Sequence, residues 1–519
     1  MQRFSVRRRV ALAVAALMAL CAVPAAAQPR TTLNVGISTA DVGQLDPHMS
    51  ALTGDVAPIG WMFNGLVRFR PGSMSPDAIE PDLAERWESS PDGKVWTFHL
   101  RRSVQFHSGY GELTADDVVY SLRRAADPQR SAFASDYAAF ASVEAVDPLT
   151  VRITLREAVP SLLGLVTNYH GGLIVSRRAA EELGEGFRRR PIGTGPFAFA
   201  TLTPRQSLEL VANPQYFRGA PRLQRIVYRY MPSDQTRDLA FQNGEIDLMY
   251  GRKEQGWVDR MRQQPNISID VFEPAELYEL HLNTNVAPLN DIRVRQAIAH
   301  GINRDELLRF VGPSVARLAR SVVPIGYLGF VETPQLPYDP ERARALLREA
   351  GFPNGVTIRA IQTQLPVLLS AMQVMQAQLR RVGITVEFDL VDHPTFHAQI
   401  RRDLSAMVYY GAARFPVADA YLSQFFHSSA IVGTPTAVTN FSHCRVADAE
   451  IAAARSATDR ATALRLWAEA QHKIAAEVCA IAVIEQMQVW ARRGNLDYGY
   501  EFEGSMTTAP MLTEATQLR

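Results

Sequence analysis

The chain has 519 residues, with 54 Lys+Arg against 53 Asp+Glu and a formal net charge of +1. Such an even balance excludes nucleic acid as the main partner, because phosphate binding needs a strongly basic surface. The length exceeds what one hydrophobic core fills, so two or three domains are expected.

The N-terminus reads MQRFSVRRR, then VALAVAALMALCAV, then PAAAQ. A basic segment, a short apolar run and the A-x-A site at Ala25-Ala26-Ala27 predict a secretory signal peptide, cleaved after Ala27. The run is shorter than the ~20 residues a spanning helix needs. A lipid anchor on Cys21 would require a small residue where Leu20 stands. Removing Arg3, Arg7, Arg8 and Arg9 with the signal takes the net charge from +1 to about −3. The mature cysteines are Cys444 and Cys479. In an oxidising compartment they either pair, worth on the order of 3 kcal/mol, or stay as buried thiols.

Thr31 to Ile37 (TTLNVGI) is the first predicted strand. Trp96 to Leu100 and Val151 to Leu155 show the period-2 alternation of half-buried strands. Thr114 to Ala126 is a helix: Thr114 caps it, Asp116 and Asp117 favour its N-terminus, and Pro128 follows its end. Strands at Leu208 to Val211 and Arg225 to Tyr230 flank the loop NPQYFRGAPRL. Helices follow at Asp291 to Leu308, Asp339 to Glu349 and Leu365 to Val382. Then come the strand Thr385 to Asp389 and the long helix Thr458 to Glu477. Strands and helices alternate, which indicates an α/β fold in layers.

Motifs for catalysis are missing. There is no G-x-S-x-G elbow, no H-E-x-x-H and no CxxC. Gly193-Thr194-Gly195-Pro196 lacks the lysine of a phosphate loop and reads as a turn before the strand Phe197 to Ala200. His393 and His397 are four apart and share a helix face, with Pro394 in the first turn. They are either a metal pair or plain surface and capping histidines. Asp46-Pro47-His48 is a turn signal.

Seven stretches resemble one family in order along the chain. LDPH begins at Leu45, and IEPDLAERWESSPDGKVWTFHLRRSVQFHSG spans Ile79 to Gly109, followed by LTADDVVYSL. IGTGPF begins at Ile192, NPQYF at Asn213 and FQNGEIDLM at Phe241. LNTNVAPLNDIRVRQAIAHGINRDEL begins at Leu282 and YDPERARALLREAG at Tyr338. Together they resemble the extracytoplasmic solute-binding proteins, family 5, of peptide- and nickel-type ABC importers. The resemblance implies a two-lobed periplasmic-binding fold (type II, peptide-binding cluster) with an extra domain inserted in the first lobe. Residues 28–48, 190–275 and 486–519 would form lobe I, 49–189 the inserted domain and 276–485 lobe II. It also implies a monomeric periplasmic receptor without cofactor or enzymatic activity. Its partners would be a peptide or small-molecule ligand and an inner-membrane permease.

In peptide binders of this family, the segment resembling YYGAARFPVADAYL (Tyr409 to Leu422) carries an Asp that pairs with the peptide ammonium and a Trp that walls a pocket. Alignment places Arg414 at that Asp and Gly411 at that Trp. A cation cannot hold an ammonium group. Three readings stay open: Arg414 binds an anionic group of the ligand; Arg414 is neutralised by Asp419 or Glu485; or the register slips and Asp419 itself binds the ammonium. The resemblance further implies cleft roles for Leu52 and Thr53 (after Ala51), Tyr250, Glu485 and Tyr169, with His170 beside the last. Tyr409 and Tyr410 are candidate aromatic walls, one of them core, because strand neighbours face opposite sides. The expected role is capture of a peptide or peptide-like solute. The alternatives are an anionic non-peptide solute such as an opine, a nickel or metal-chelate carrier, and a secreted hydrolase.

Overall fold

The first strand, Thr32–Ile37, lies inside a sheet of nine strands. It pairs in parallel with Arg225–Tyr230 on one side and Leu248–Tyr250 on the other. Beyond these, the order runs Ser207–Ala212 and Phe197–Thr203 at one edge, and Ala480–Arg493, Ile267–Leu282 and Met407–Ala412 at the other. In this computed structural model the described residues are 30–519 apart from 51, 160–161, 434–438 and 458. The expected signal peptide with its cleavage point, Cys21 and Ala51 lie outside them.

Ile267–Leu282 and Ala480–Arg493 pair antiparallel from Ile267↔Arg493 to His281↔Ala480. They tie two packed lobes together, and their register shifts between Phe272 and Glu276. Pro274 lies in that shift, where a residue without an N–H is tolerated. At one end the sheet is covered by residues between Leu45 and Leu223, including a four-stranded antiparallel sheet of Ala84–Ser89, Val95–Leu100, Thr150–Leu155 and Phe140–Asp147.

At the other end the two sheet faces bury separate cores. Tyr409, Leu280 and Leu282 pack with the helices Ile292–Gly301, Pro340–Glu349 and Pro366–Arg381. Val408, Ala412 and Leu277 face the helices Ala418–Phe425, Asp448–Arg455 and Arg460–Glu477. This is the alternation of a pleated strand, with successive side chains on opposite faces. Cys444 and Cys479 belong to the second core and form a disulfide with Cα atoms 5.8 Å apart.

Local signals explain most boundaries. Thr114 and Asp117 form a reciprocal capping box, with Thr114 N and Oγ1 each 3.0 Å from Asp117 Oδ2. Asp339 and Asp459 cap the helices Pro340–Glu349 and Arg460–Glu477 by accepting from Arg342 N and Thr462 N. The single helix expected over Asp291 to Leu308 is instead two, Ile292–Gly301 and Arg304–Val311. Asn303 breaks it: its side chain accepts from Glu306 N at 3.0 Å and starts a second helix. At Gly193 an added β-carbon would lie 2.2 Å from Met62 O, so the glycine-rich turn serves close backbone packing. Asp46, in the expected turn, is buried and ion-paired with Arg124.

Candidate functional site

The site forms where the Met407–Ala412 strand leaves the sheet. Tyr409 is 1% exposed and its ring packs on Tyr278 at 5.6 Å. Tyr410 points the other way, half-buried against Phe441 at 5.2 Å and Phe425 at 6.0 Å. A β-carbon at Gly411 would meet the Tyr278 ring at 2.3 Å, so Tyr278 occupies the space a larger residue at 411 would need. The chain then runs through Ala413 to Val417 before the helix Ala418–Phe425. Two buried phenols hold this loop: Tyr421 donates to Ala412 O at 2.6 Å and Tyr327 to Arg414 O at 2.9 Å.

These bonds fix the backbone of Arg414 and leave its guanidinium to reach inward. Its Nε donates to Gln424 Oε1 at 2.6 Å, one terminal nitrogen donates to Ala413 O at 3.0 Å, and the group lies over the Phe425 ring at 5.2 Å. Among the described residues no carboxylate comes within 4.0 Å of it. Burial works against its charge; the Tyr410, Tyr421 and Tyr169 hydroxyls and the Asp136 carboxylate outweigh that and hold its pKa above the usual range. Arg414 is therefore a fixed cation without a counter-ion in contact.

The opposite wall comes from an earlier part of the chain. Asp136, in the turn Ala134–Tyr137, accepts from Gln424 Nε2 at 3.3 Å across 288 residues of sequence. Burial pushes the Asp136 carboxyl up, and Arg414 pulls it down. Tyr169 stacks on His170 at 3.6 Å, and His170 on Phe133 at 4.1 Å. Burial, aided by Arg414, lowers His170 to about 3, so it is neutral. Burial raises the Tyr169 phenol, against Arg414. The walls touch at Phe415, whose ring lies 5.7 Å from Phe69; a β-carbon at Gly164 would strike it at 2.4 Å. Beside Tyr169 a small cavity opens, lined by Pro47, Ser50, Ile59 and Asn168.

The other predicted residues divide. Glu485 is 0% exposed and accepts from Arg317 and from Ile325 N at 3.0 Å. Burial raises it to about 7 against the pull of Arg317. Asp419 is buried and held by Arg455 at 3.2 Å and Ser423 at 3.1 Å. Neither acid neutralises Arg414. Tyr250 stands edge-on to Trp490 at 5.7 Å, next to the Lys253–Glu276 pair at 2.9 Å. Leu52 is 60% exposed at the start of the helix Thr53–Met62, which Thr53 opens. The structure thus brings Arg414, Tyr410 and Tyr169 together with Asp136, Gln424 and Tyr327, which the sequence reading missed. No local pattern around Asp136 (ASDYAAF) marks it; only the tertiary closure does.

For a metal, the nearest arrangement is His393 and His397, with Nε2 atoms 3.2 Å apart on the helix His393–Ile400. Among the described residues no group of three or more His, Cys, Asp or Glu is placed to hold a metal ion. No helix of the described residues is long and apolar enough to cross a membrane.

Two lobes joined by long sheet strands, with a fixed cation facing the opposite lobe, define a protein that holds a solute between its halves. The chain belongs to the bacterial extracellular solute-binding proteins, family 5, whose middle region matches residues 78–432. It is similar to "Di/tripeptide-binding protein 2" of Pseudomonas aeruginosa, at 32% identity over 73% of this chain and 76% of that protein. Among solved structures it resembles MoaA of A. tumefaciens R10 in complex with mannopinic acid, at 49% identity and a TM-score of 0.86, covering 94% of this chain and 100% of that one. It also resembles the ABC transporter-associated periplasmic binding protein DppA of Helicobacter pylori in complex with peptide STSA, at 25% identity and a TM-score of 0.81, covering 94% and 98%. The fold is the two-lobed α/β periplasmic-binding type, and the family role is solute capture for an ABC importer.

Proposed function

We propose that this receptor captures a small organic acid of the opine kind, such as mannopinic acid, and that Arg414 meets the ligand's carboxylate. The observation that carries this is a half-buried guanidinium with no carboxylate in contact among the described residues. An unpaired buried charge costs several kcal/mol, so a site that keeps one is built for a guest of opposite sign. Planar, bidentate binding of a carboxylate is what a guanidinium does best. The likeness to a mannopinic acid complex supports the reading.

The wider role has these parts. The leader is removed after Ala27, and the mature monomer works in the periplasm. Lobe I comprises 28–48, 190–275 and 486–519 with 49–189 inserted, and lobe II is 276–485. Tyr410, Tyr169, Tyr250, Leu52 and Thr53 line the cleft; Tyr409, Asp419 and Glu485 support it from behind. The closed form docks on an inner-membrane permease, and the chain catalyses no reaction. A second reading, a short peptide held by its C-terminal carboxylate, is favoured by the likeness to di- and tripeptide binders. Calorimetric titration with mannopinic acid and with a dipeptide panel separates the two. The expected result is tight binding of mannopinic acid and weaker binding of every dipeptide in the panel. Equal affinities would overturn it.

A further inference from the structure

Arg414 repels a ligand ammonium from its own surroundings, because like charges disfavour each other. A ligand with an amino group then needs an anion elsewhere. The structure offers one on the opposite wall. Asp136 is a half-buried carboxylate with no cation within 4.0 Å among the described residues. Its side-chain contact is the amide of Gln424, at 3.3 Å. The same amide accepts from Arg414 Nε at 2.6 Å.

Gln424 therefore sits between two opposite charges that do not touch. It presents its NH2 group to the carboxylate and its carbonyl oxygen to the guanidinium. This orientation satisfies both charges, and the flipped one satisfies neither. A donor facing Asp136 and an acceptor facing Arg414 a short step away is the pattern of an amino-acid zwitterion. The ammonium would take the place of the amide NH2, and the carboxylate that of the amide oxygen. A neutral amide partly satisfies both charges, and charge-assisted bonds to a zwitterion are roughly twice as strong.

Two features favour a ligand over a purely structural link. Gln424 and Arg414 lie in one lobe and Asp136 in the other, so what fills this gap bridges the cleft. In the hinge, by contrast, Arg317 and Glu485 pair directly, which shows that this fold joins buried charges when no guest is meant to intervene.

We infer that Asp136 and Arg414 are the two ends of one subsite for an amino-acid zwitterion, the ammonium on Asp136 and the carboxylate on Arg414, with Gln424 standing in when it is empty. The inference deepens the proposed function and rests on Arg414 meeting a ligand carboxylate. It names the ligand class as an amino acid, or an amino-acid conjugate whose nitrogen stays basic.

The test is calorimetry on the full mature chain, wild type and Asp136→Asn, with two zwitterions, mannopinic acid and L-glutamate, each free and N-acetylated. Asparagine keeps the shape and a hydrogen-bond acceptor for Gln424 but removes the charge. Thermal unfolding of the variant, within a few degrees of wild type, shows that it folds. In the wild type, N-acetylation should weaken the zwitterion that binds by at least about tenfold, the range for losing a charged hydrogen bond. In Asp136→Asn the free form should weaken by a similar factor and the N-acetylation penalty should vanish. A variant within threefold of wild type, with the penalty intact, overturns the inference and leaves the opine reading standing. Binding of L-glutamate but not mannopinic acid, with the pattern above, overturns the opine reading and upholds the subsite. Binding of neither zwitterion overturns the inference.

Discussion

Two arginines, Arg317 and Arg414, meet their surroundings in opposite ways. Arg317, on the short strand Ala316–Leu318, lies directly across from Glu485 on Ala480–Arg493. Its guanidinium joins two carboxylates, Glu485 at 2.6 Å and Glu273 at 2.7 Å. Arg414, at the end of the Met407–Ala412 strand, joins an amide, a backbone carbonyl and an aromatic face. The sheet at Arg317 closes its charges on themselves, and the loop at Arg414 keeps its cation apart from carboxylates. Mutating each arginine should therefore move different observables: stability at 317, ligand affinity at 414.

The largest expected effect falls on Arg317. Arg317→Met leaves Glu485, 0% exposed, without its cation and should lower the unfolding free energy by about 3–5 kcal/mol, as removal of one partner of a buried pair does. Urea denaturation measures it. Arg414→Met should lower stability by no more than about 1 kcal/mol, because no ion pair is broken. Equal losses at both sites would erase the contrast.

Next is the disulfide, which lies in the same buried core as Ala412 and Val417. Cys444 and Cys479 enclose a separation of 35 residues. Replacing both with serine should cost about 3 kcal/mol and leave the ratio of affinities for different ligands unchanged. A changed ratio would show that this staple shapes the cleft.

The pH response sharpens the comparison further. Burial lowers His48 and His107 to about 4, and His170 and His281 to about 3. Unfolded, they would take up protons near 6.5; folded, they resist until pH 4 or 3. Stability conferred by these depressed pKa values is present above 6.5 and is lost as pH falls through that window. Each histidine adds up to about 1.4 kcal/mol per pH unit to the slope. His281, both of whose ring nitrogens lack hydrogen-bond partners among the described residues, lies 3.7 Å from the Glu279 carboxyl, which burial raises and which tilts the slope the other way. His281→Leu should flatten the melting temperature against pH between 6.5 and 4, and an unchanged slope would contradict the assignment. The smallest effect is Thr114→Ala, which opens a capping box and should cost about 1 kcal/mol in thermal unfolding.

What the sequence made legible follows physical range. Caps are local, so Thr114, Asp339 and Asp459 could be read or rationalised from a few neighbouring residues. The break at Asn303 was equally local but was masked by the apolar periodicity running through Ala299 and Ile302. Arg414 stands out in the sequence because it departs from a family pattern at one aligned position. Its neighbours were not found. Asp136 and Gln424 meet across 288 residues, and nothing in either segment encodes the other. The cysteines were visible, but their spacing leaves the Cα separation of 5.8 Å undetermined. The two acids proposed as neutralisers of Arg414 found other cations, Arg317 and Arg455, and only the folded geometry distinguishes those partners.

The central claim is that Arg414 is held ready for a ligand's anion. The most direct test is titration of mannopinic acid into wild type and Arg414→Met, alongside their unfolding curves. Tight binding by the wild type, a loss of at least about hundredfold in the variant and nearly superimposable unfolding curves are the predicted result. An affinity within threefold of wild type in Arg414→Met would contradict it.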